Sequence, residues 1–308
     1  MLVPIAPAAG LPGAVADPRW VWSTQSIYYD QKGNEVENVD ALSRYSSVLY
    51  GYQQSLATAV SSNARHNEIG FDGFEDYYFS LPADTALCLM SRQLEMGFTP
   101  QGNQYCSGGG CIVPGISHTG NYSLQLSGSV SVSSQGGSAS PPSQWVGYDA
   151  AGHSILLANE QAAGFSPVPN KKYLLSLWVK DAAPDTNVIQ GLQVSINGQA
   201  QSFTSTAVPV VEGWKQLNLN FTAGSSFSLQ LTGGSGIYVD DIRLQPFDGE
   251  MKTFVYDDRS LRLMAELDEN NFGILYEYDD EGTPIRVKKE TERGVMTVKE
   301  NRQSLIPH

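Results

Sequence analysis

Few side chains in this chain of 308 residues could bind a metal or react covalently. There are three cysteines, Cys88, Cys106 and Cys111, and four histidines, none of which lies at ligand spacing from a cysteine. This spacing does not favour a zinc site. An odd number of cysteines leaves at least one of them unpaired or paired outside the chain.

Cys106 and Cys111 flank the flexible sequence SGGG, which can bring their two sulfur atoms together. A disulfide at this place is typical of an oxidising, extracellular compartment. We favour this bridge over the alternative in which all three cysteines are free.

Motifs of known catalytic sites are missing from the sequence. It contains no Gly-x-Ser-x-Gly elbow, no His-Glu-x-x-His, no phosphate-binding loop and no dinucleotide fingerprint. A pair of glycosidase carboxylates remains open, because its two members need not be close in the chain. The Asp- and Glu-rich runs coincide with predicted turns, where a structural role is sufficient. We therefore expect no catalytic residues and a protein that is not an enzyme.

Aromatic side chains are the candidates for sugar binding, which needs an exposed aromatic plane beside polar groups. Trp145 and Tyr148 follow the Gly/Ser/Pro-rich sequence SSQGGSASPPSQ, which predicts a surface loop. Trp178 is a third candidate ligand-binding residue. For Trp178 and Trp214 the alternative is that they pack against a neighbouring sheet or domain.

The net charge of −13 limits the partners of this protein. Nucleic-acid binding depends on Lys and Arg that displace counterions from phosphate, and anionic membranes repel an acidic surface. No stretch has the roughly 20 apolar residues that span a bilayer. The first residues, MLVPIAPAAGLPG, lack a basic region and contain three prolines, so they do not predict a signal peptide. We expect a piece of a longer exported polypeptide, located outside the cell or on its surface.

A short pattern recurs at the two ends of the chain. Tyr-Asp is followed by glycine at Tyr29-Asp30 with Gly33 and at Tyr278-Asp279 with Gly282, and a third copy at Tyr256-Asp257 has Ser260 in the glycine place. Each copy predicts a strand, a tight turn and a second strand. The C-terminal run resembles the YD repeats of Rhs/teneurin-like secreted proteins, in the style found in Bacteroidetes. The resemblance covers residues 251–300 well and residues 25–40 weakly.

The middle of the chain has the alternation of a β-sandwich. In KKYLLSLWVK the apolar residues Tyr173, Leu175, Leu177 and Val179 fall on one face, and Asn197-Gly198 between strand-like runs predicts a hairpin. The blocks IGFDGFED, HTGNYSLQL, KYLLSLWVK and IYVDDIRL resemble, in this order, those of carbohydrate-binding modules with a galactose-binding-like jelly roll.

That resemblance implies a structural calcium ion. In the family, a glutamate of the opening block and the first aspartate of the closing block meet on Ca²⁺, and these positions are Glu75 and Asp240 here. Oxygen ligands suit Ca²⁺. The alternative is that Glu75 and Asp76 cap a turn while Asp240 and Asp241 are solvated at the end of a strand.

The sequence as a whole predicts a mainly β protein, a jelly-roll β-sandwich flanked by YD-repeat β-hairpins with a short helical or extended linker. Residues 1–65 form an N-terminal extension with a YD-like hairpin and, at 41–65, the linker. Residues 66–247 form the sandwich, inserted into the YD sheet, and residues 248–308 form the C-terminal hairpins.

We expect a non-enzymatic recognition or adhesion module, with a glycan as its candidate ligand, that belongs to a larger YD-repeat polypeptide. One alternative is a C-terminal unit that outer-membrane secretion or surface-attachment proteins recognise. Another is an accessory module of a polysaccharide-degrading enzyme.

Overall fold

A computed structural model describes residues 23–30, 32–79, 94, 96–135, 146–148, 154–156, 165–203 and 206–301. These residues form 24 β-strands and a short 3-10 helix at His66–Glu68, and they contain no α-helix. The predicted fold class, mainly β with a sandwich, is confirmed. Over the same residues, no helical segment is present that is long and apolar enough to cross a bilayer.

The two ends of the chain meet in one sheet of eleven strands, which we call the repeat sheet. Its strands are β1 (Thr24–Tyr29), β2 (Glu35–Asp40), β3 (Tyr45–Gly51), β4 (Leu56–Ser62), β11 (Val146–Tyr148), β12 (Ser154–Leu156), β20 (Glu250–Tyr256), β21 (Leu263–Leu267), β22 (Gly273–Tyr278), β23 (Pro284–Thr291) and β24 (Gly294–Glu300). Their order is β11-β12-β1-β2-β3-β4-β20-β21-β22-β23-β24.

Four hairpin turns of the repeat sheet share one geometry. Each begins with an aspartate whose backbone N–H donates to the carbonyl of the fourth residue on, and whose Oδ1 accepts the N–H of that same residue. The third residue on has positive φ. The turns begin at Asp30, Asp40, Asp268 and Asp279, and their positive-φ residues are Gly33, Ser43, Asn271 and Gly282. Only the first and last of them carry the Tyr-Asp-x-x-Gly pattern.

The turn between β20 and β21 is one residue longer. The backbone N–H of Asp257 donates to the carbonyl of Arg262, and the positive φ falls on Leu261. The expectation that Ser260 takes the place of the turn glycine is therefore wrong. The insertion of one residue, not a substitution, distinguishes this copy.

Apart from β11 and β12, the strands between β4 and β20 form a sandwich of two sheets. One sheet has the order β16-β17-β13-β19-β9-β8-β7-β6, and β5 also pairs with β19. Its strands are β5 (Gly70–Asp72), β6 (Thr99–Gln101), β7 (Gln104–Ser107), β8 (Gly110–Pro114), β9 (Tyr122–Leu126), β13 (Lys172–Lys180), β16 (Val210–Val211), β17 (Trp214–Thr222) and β19 (Tyr238–Pro246). The other sheet, in the order β10-β18-β14-β15, consists of β10 (Ser129–Gln135), β14 (Leu192–Ile196), β15 (Gln199–Ala200) and β18 (Ser226–Gly233).

Alternating residues of β13 divide between two packing layers, as the sequence predicts. Tyr173, Leu175, Leu177 and Val179 all lie in the core between the two sandwich sheets. Trp178 points to the opposite side. The hairpin predicted at Asn197-Gly198 joins β14 to β15, and both of its turn residues have positive φ.

The repeat sheet packs on the outer face of the larger sandwich sheet and forms a third layer. Phe71 of β5 contacts the apolar clusters of the repeat sheet, and Arg243 of β19 reaches across to β20 and to the turn that begins at Asp268. The chain leaves the repeat sheet after β4, adds β11 and β12 at its edge beside β1, and returns in β20, which pairs with β4 at Ser61 and Met251. The expectation that both ends of the chain share one sheet is confirmed by this pairing.

The predicted helix and extended linker at residues 41–65 is not formed. This segment instead holds β3 and β4, which pair with each other in the repeat sheet. Small or polar residues occupy the inward positions of these strands, including Ser47, Ala59 and Ser61, while Val60 is exposed. The apolar residues therefore did not show the alternation of a strand.

Candidate functional site

Glu75 and Asp240 are both buried and receive backbone N–H groups. Glu75 follows β5, and its Oε1 accepts from Asn121 at 2.6 Å and from Tyr122 at 2.7 Å. Asp240 lies on β19, and its Oδ2 accepts from His118 at 2.7 Å. The structure thus brings both predicted carboxylates against the same connection, the one between β8 and β9.

Burial raises the pKa of each of these two carboxyls well above its usual range, and the charge of Asp241 raises it further. Oε2 of Glu75 is buried and has no hydrogen-bond partner. An uncompensated group of this kind is costly, so these residues fit a hard cation with oxygen ligands. Among the described residues, no group of three or more His, Cys, Asp or Glu is arranged to hold a metal ion. Backbone carbonyls or water would have to complete the shell of such a cation.

His118 forms a second buried polar group between the sandwich and the repeat sheet. Its Nδ1 lies 2.7 Å from Oδ2 of Asp241, and its Nε2 lies 3.2 Å from Oε2 of Glu290 on β23. Burial lowers the pKa of His118, but the hydrogen bonds to Asp241 and Glu290 outweigh burial and raise it to about 9. The imidazole is therefore a cation at neutral pH, and its side chain is buried.

Trp178 does not present a face to a ligand. The side chain is 0% exposed, stacks on His118 with ring centroids 4.0 Å apart, and donates from Nε1 to the carbonyl of Asn271 at 2.8 Å. The assignment of Trp178 as a ligand-binding residue is therefore wrong, and the alternative, packing against a neighbouring layer, is what the structure shows. Trp214 is buried in the same cluster.

The remaining sequence candidates fall in different parts of the chain. Trp145 and Cys88 lie outside the described residues. Tyr148 ends β11, and its side chain is also outside the described part. Cys106 and Cys111 are joined by a disulfide that links the neighbouring strands β7 and β8.

A group of tyrosines that sequence reasoning did not identify lies beside Glu75. Tyr78 and Tyr122 are half-buried and stacked, with centroids 4.5 Å apart and an angle of 16° between their planes. Tyr105 meets Tyr78 edge to face at 5.2 Å. The only sequence signal for this group was the tyrosine in HTGNYSLQL, since the other two lie in separate segments.

The longer turn of the repeat sheet closes this group from the other side. The Tyr122 hydroxyl donates to Oδ2 of Asp258 at 3.3 Å, and Nδ2 of Asn121 donates to Oδ2 of Asp257 at 3.3 Å. Burial and then the charge of Asp258 raise the pKa of Tyr122 to about 12. We call the group formed by Tyr78, Tyr105, Asn121, Tyr122 and Asp258 the seam site.

The side chains of the seam site can form apolar contacts and hydrogen bonds with a ligand. Flat tyrosine rings offer apolar surface, and the carboxylate and amide offer hydrogen bonds of fixed direction. An apolar surface beside a few polar groups is one of the features of small-ligand sites.

No family model matches the chain, and no curated protein matches it. Among solved structures, a family 35 carbohydrate-binding module from an environmental isolate is 13% identical, covers 47% of this chain and 88% of that chain, and has a TM-score of 0.28. The CBM22-1 xylan-binding domain of Paenibacillus barcinonensis Xyn10C is 16% identical, with coverage of 51% and 89% and a TM-score of 0.26. The tandem CBM22-1-CBM22-2 domain of the same protein is 14% identical, with coverage of 64% and 59% and a TM-score of 0.27.

Proposed function

We propose that this protein is a non-enzymatic glycan-recognition module that binds its ligand at the seam site. The stacked pair of Tyr78 and Tyr122, placed beside Asp258 and Asn121, carries this proposal. Tyrosine rings can cover the apolar face of a sugar, while the carboxylate and amide accept from and donate to its hydroxyls. The sandwich and the repeat sheet both contribute, so the site depends on how the two layers are joined.

We also propose that the module belongs to a larger secreted or surface-exposed YD-repeat polypeptide. The disulfide between Cys106 and Cys111 suits an oxidising compartment. The repeated aspartate turns support a sheet that is built from similar hairpins.

The test of glycan recognition is binding to a panel of immobilised glycans. Wild-type protein should bind at least one class, and Tyr122→Ala should abolish that binding. Tyr276→Ala, which removes a half-buried tyrosine from β22 of the repeat sheet, is the matched control and should bind as the wild type does. If Trp145→Ala abolishes binding and Tyr122→Ala does not, the recognition function stands and its site is at Trp145. If a folded wild-type protein binds no glycan, the proposed function fails.

A cation held by Glu75 and Asp240 would stabilise the connection between β8 and β9 that both residues contact. Any ligand that binds only the native state stabilises it, by about 2.7 kcal/mol when its concentration is 100 times Kd. We therefore expect EDTA to lower Tm and added Ca²⁺ to restore it.

Glu75→Gln and Asp240→Ala should remove this response, while Asp280→Ala, at an exposed turn carboxylate, should retain it. Glu75→Gln keeps an oxygen for the N–H groups of Asn121 and Tyr122 and so separates loss of the cation from loss of folding. The calcium proposal is wrong if EDTA leaves the wild-type Tm unchanged.

A further inference from the structure

We infer that the seam site takes glycans that carry protonated amino groups, such as chains of deacetylated amino sugar. This inference rests on the proposed glycan-recognition function and adds the chemical class of the ligand. It follows from the charges around the tyrosines, from one unpartnered buried oxygen, and from the position of the half-buried aspartate that closes the site.

Two neighbouring carboxylates of the longer turn lie against the seam site. Oδ2 of Asp258 accepts from the Tyr122 hydroxyl at 3.3 Å, and Oδ2 of Asp257 accepts from Nδ2 of Asn121 at 3.3 Å. Burial and then the charge of Asp258 raise the pKa of Tyr122. Like charges brought together in this way favour a cation among them.

A buried oxygen beside these carboxylates lacks a donor. The N–H groups of Asn121 and Tyr122 both donate to Oε1 of Glu75, and Oε2 has no hydrogen-bond partner. Two carboxylates act on Glu75, Asp241 from the sandwich and Asp258 from the turn. A cationic group of a ligand beside Asp258 would offset the repulsion between Asp258 and Glu75. A metal ion held by Glu75 and Asp240 would not occupy Asp258, which could still bind that cationic group.

Asp258 is placed to meet a ligand because it lies in the longer turn and is half-buried. Its Oδ2 accepts from the Tyr122 hydroxyl at 3.3 Å, which uses only part of what two carboxylate oxygens can accept. An ammonium group has three donors and forms strong charge-assisted hydrogen bonds to carboxylates. The stacked tyrosines beside Asp258 favour a sugar over an extended cationic peptide, because a sugar ring presents a compact apolar face.

The experiment compares short oligomers of glucosamine and of N-acetylglucosamine of equal length, at a mildly acidic pH that keeps the amines protonated. Isothermal titration with wild-type protein should show binding of the glucosamine oligomer about tenfold tighter or more, which corresponds to about 1.4 kcal/mol. Added salt should weaken this preference, because it screens exposed charges.

Variants locate the effect. Asp258→Asn should reduce the affinity for the glucosamine oligomer to that for the acetylated one, and Asp280→Asn, at the matching place in an ordinary turn, should leave the preference unchanged. Tyr122→Phe keeps the ring and should retain most of the binding, whereas Tyr122→Ala should lose it for both oligomers.

Three results would overturn the inference. If both oligomers, or other glycans, bind equally well and Asp258→Asn changes neither affinity, the amino-group preference is wrong and glycan recognition stands. If oligolysine binds as tightly as the glucosamine oligomer, the attraction is to any cation. If no glycan binds to folded protein, the inference and the proposed function fail together.

Discussion

His118 carries a positive charge in the interior of the protein, and its surroundings explain why this is tolerated. Asp241 comes from the sandwich and Glu290 from the repeat sheet, so the cation is held by one carboxylate of each layer. The Thr119 hydroxyl also donates to Asp241, and the Gly273 N–H donates to Glu290. Burying a charge is costly unless it is paired and its partners are hydrogen-bonded. His118 therefore ties the two layers together electrostatically.

This arrangement predicts a loss of stability at alkaline pH. The pKa of His118 is raised from 6.5 to about 9 on folding, so its contribution is fully present below about 6.5 and is lost as the pH rises through about 9. The total contribution is on the order of 3 kcal/mol. It is measured as the difference in the free energy of unfolding between wild type and His118→Gln in urea, over this pH range.

The difference between the two proteins should shrink as the pH increases, because only the wild type loses the charge. Groups that do not contact His118 titrate in both proteins and cancel in the difference. A difference that is constant with pH would show that folding does not raise the pKa of His118.

At the scale of the elements, one turn geometry recurs because the first residue of each turn is an aspartate that makes the same hydrogen bonds. Its Oδ1 holds the backbone N–H of the residue four positions on, and a residue of positive φ closes the turn. Glycine adopts positive φ without cost, whereas other residues pay about 1 kcal/mol or more. Ser43 and Asn271 occupy this position without being glycine, and only Asn271 has a visible reason.

Asn271 connects the turn to the sandwich. Its Nδ2 donates to Oγ of Ser176 at 3.1 Å and to the carbonyl of Asp241 at 3.3 Å, and its own carbonyl accepts from Trp178. Ser43 is exposed. The same change at the two positions should therefore have opposite effects.

Ser43→Gly should raise the free energy of unfolding by up to about 1 kcal/mol, because it relieves the positive φ and removes no buried contact. Asn271→Gly should lower it by about 1 kcal/mol or more, because two buried hydrogen bonds are lost. Urea unfolding of both variants measures these changes. Equal effects of the two substitutions would mean that the contacts of Asn271 with the sandwich contribute nothing to stability.

The extent to which sequence predicts these elements depends on which residues face inward. Tyr173, Leu175 and Leu177 are large and apolar, so the alternation of β13 could be read directly. In β3 and β4, Ser47 and Ser61 face inward, and Ser61 donates to the carbonyl of Glu250 on the neighbouring strand. A buried hydroxyl with a backbone partner leaves no apolar signal, so the sequence predicts a linker where the structure has these two strands.

The seam site could not be predicted for a different reason. Tyr122 and Asp258 are separated by 136 positions and meet only because the repeat sheet packs on the sandwich. The sequence did contain the signals for Glu75 and Asp240, since both lie in blocks that can be aligned with a known kind of domain. Residues whose proximity depends on how two layers dock carry no such signal.

At the scale of the whole molecule, the sandwich is inserted between strands of the repeat sheet, and side chains of the two parts contact each other. One of these contacts is made by Arg243 of β19, which is buried and donates to the carbonyl of Asp268 at 2.7 Å, to the carbonyl of Met251, and to the Thr253 hydroxyl. Burial lowers the pKa of Arg243 to about 10, so the guanidinium remains charged at neutral pH and donates to these three oxygens. The first four strands complete the sheet on the other side of β20.

Removal of β1 to β4 should therefore unfold the C-terminal part of the sheet before it unfolds the sandwich. In a chain that lacks residues 1–62, the edge of β20 that pairs with β4 has no partner strand. Met251 also becomes exposed, because it packs against Leu49 and Ala59. An unpaired strand edge promotes aggregation and local opening. Hydrogen exchange should become fast in residues 250–300 and remain slow in β13 and β19, and proteolysis should cut the C-terminal hairpins first.

A chain that lacks only residues 1–22 is the control and should retain slow exchange throughout β20 to β24. If the shorter chain stays soluble and keeps these amides as protected as the control does, the two parts fold independently and the shared sheet contributes no stability.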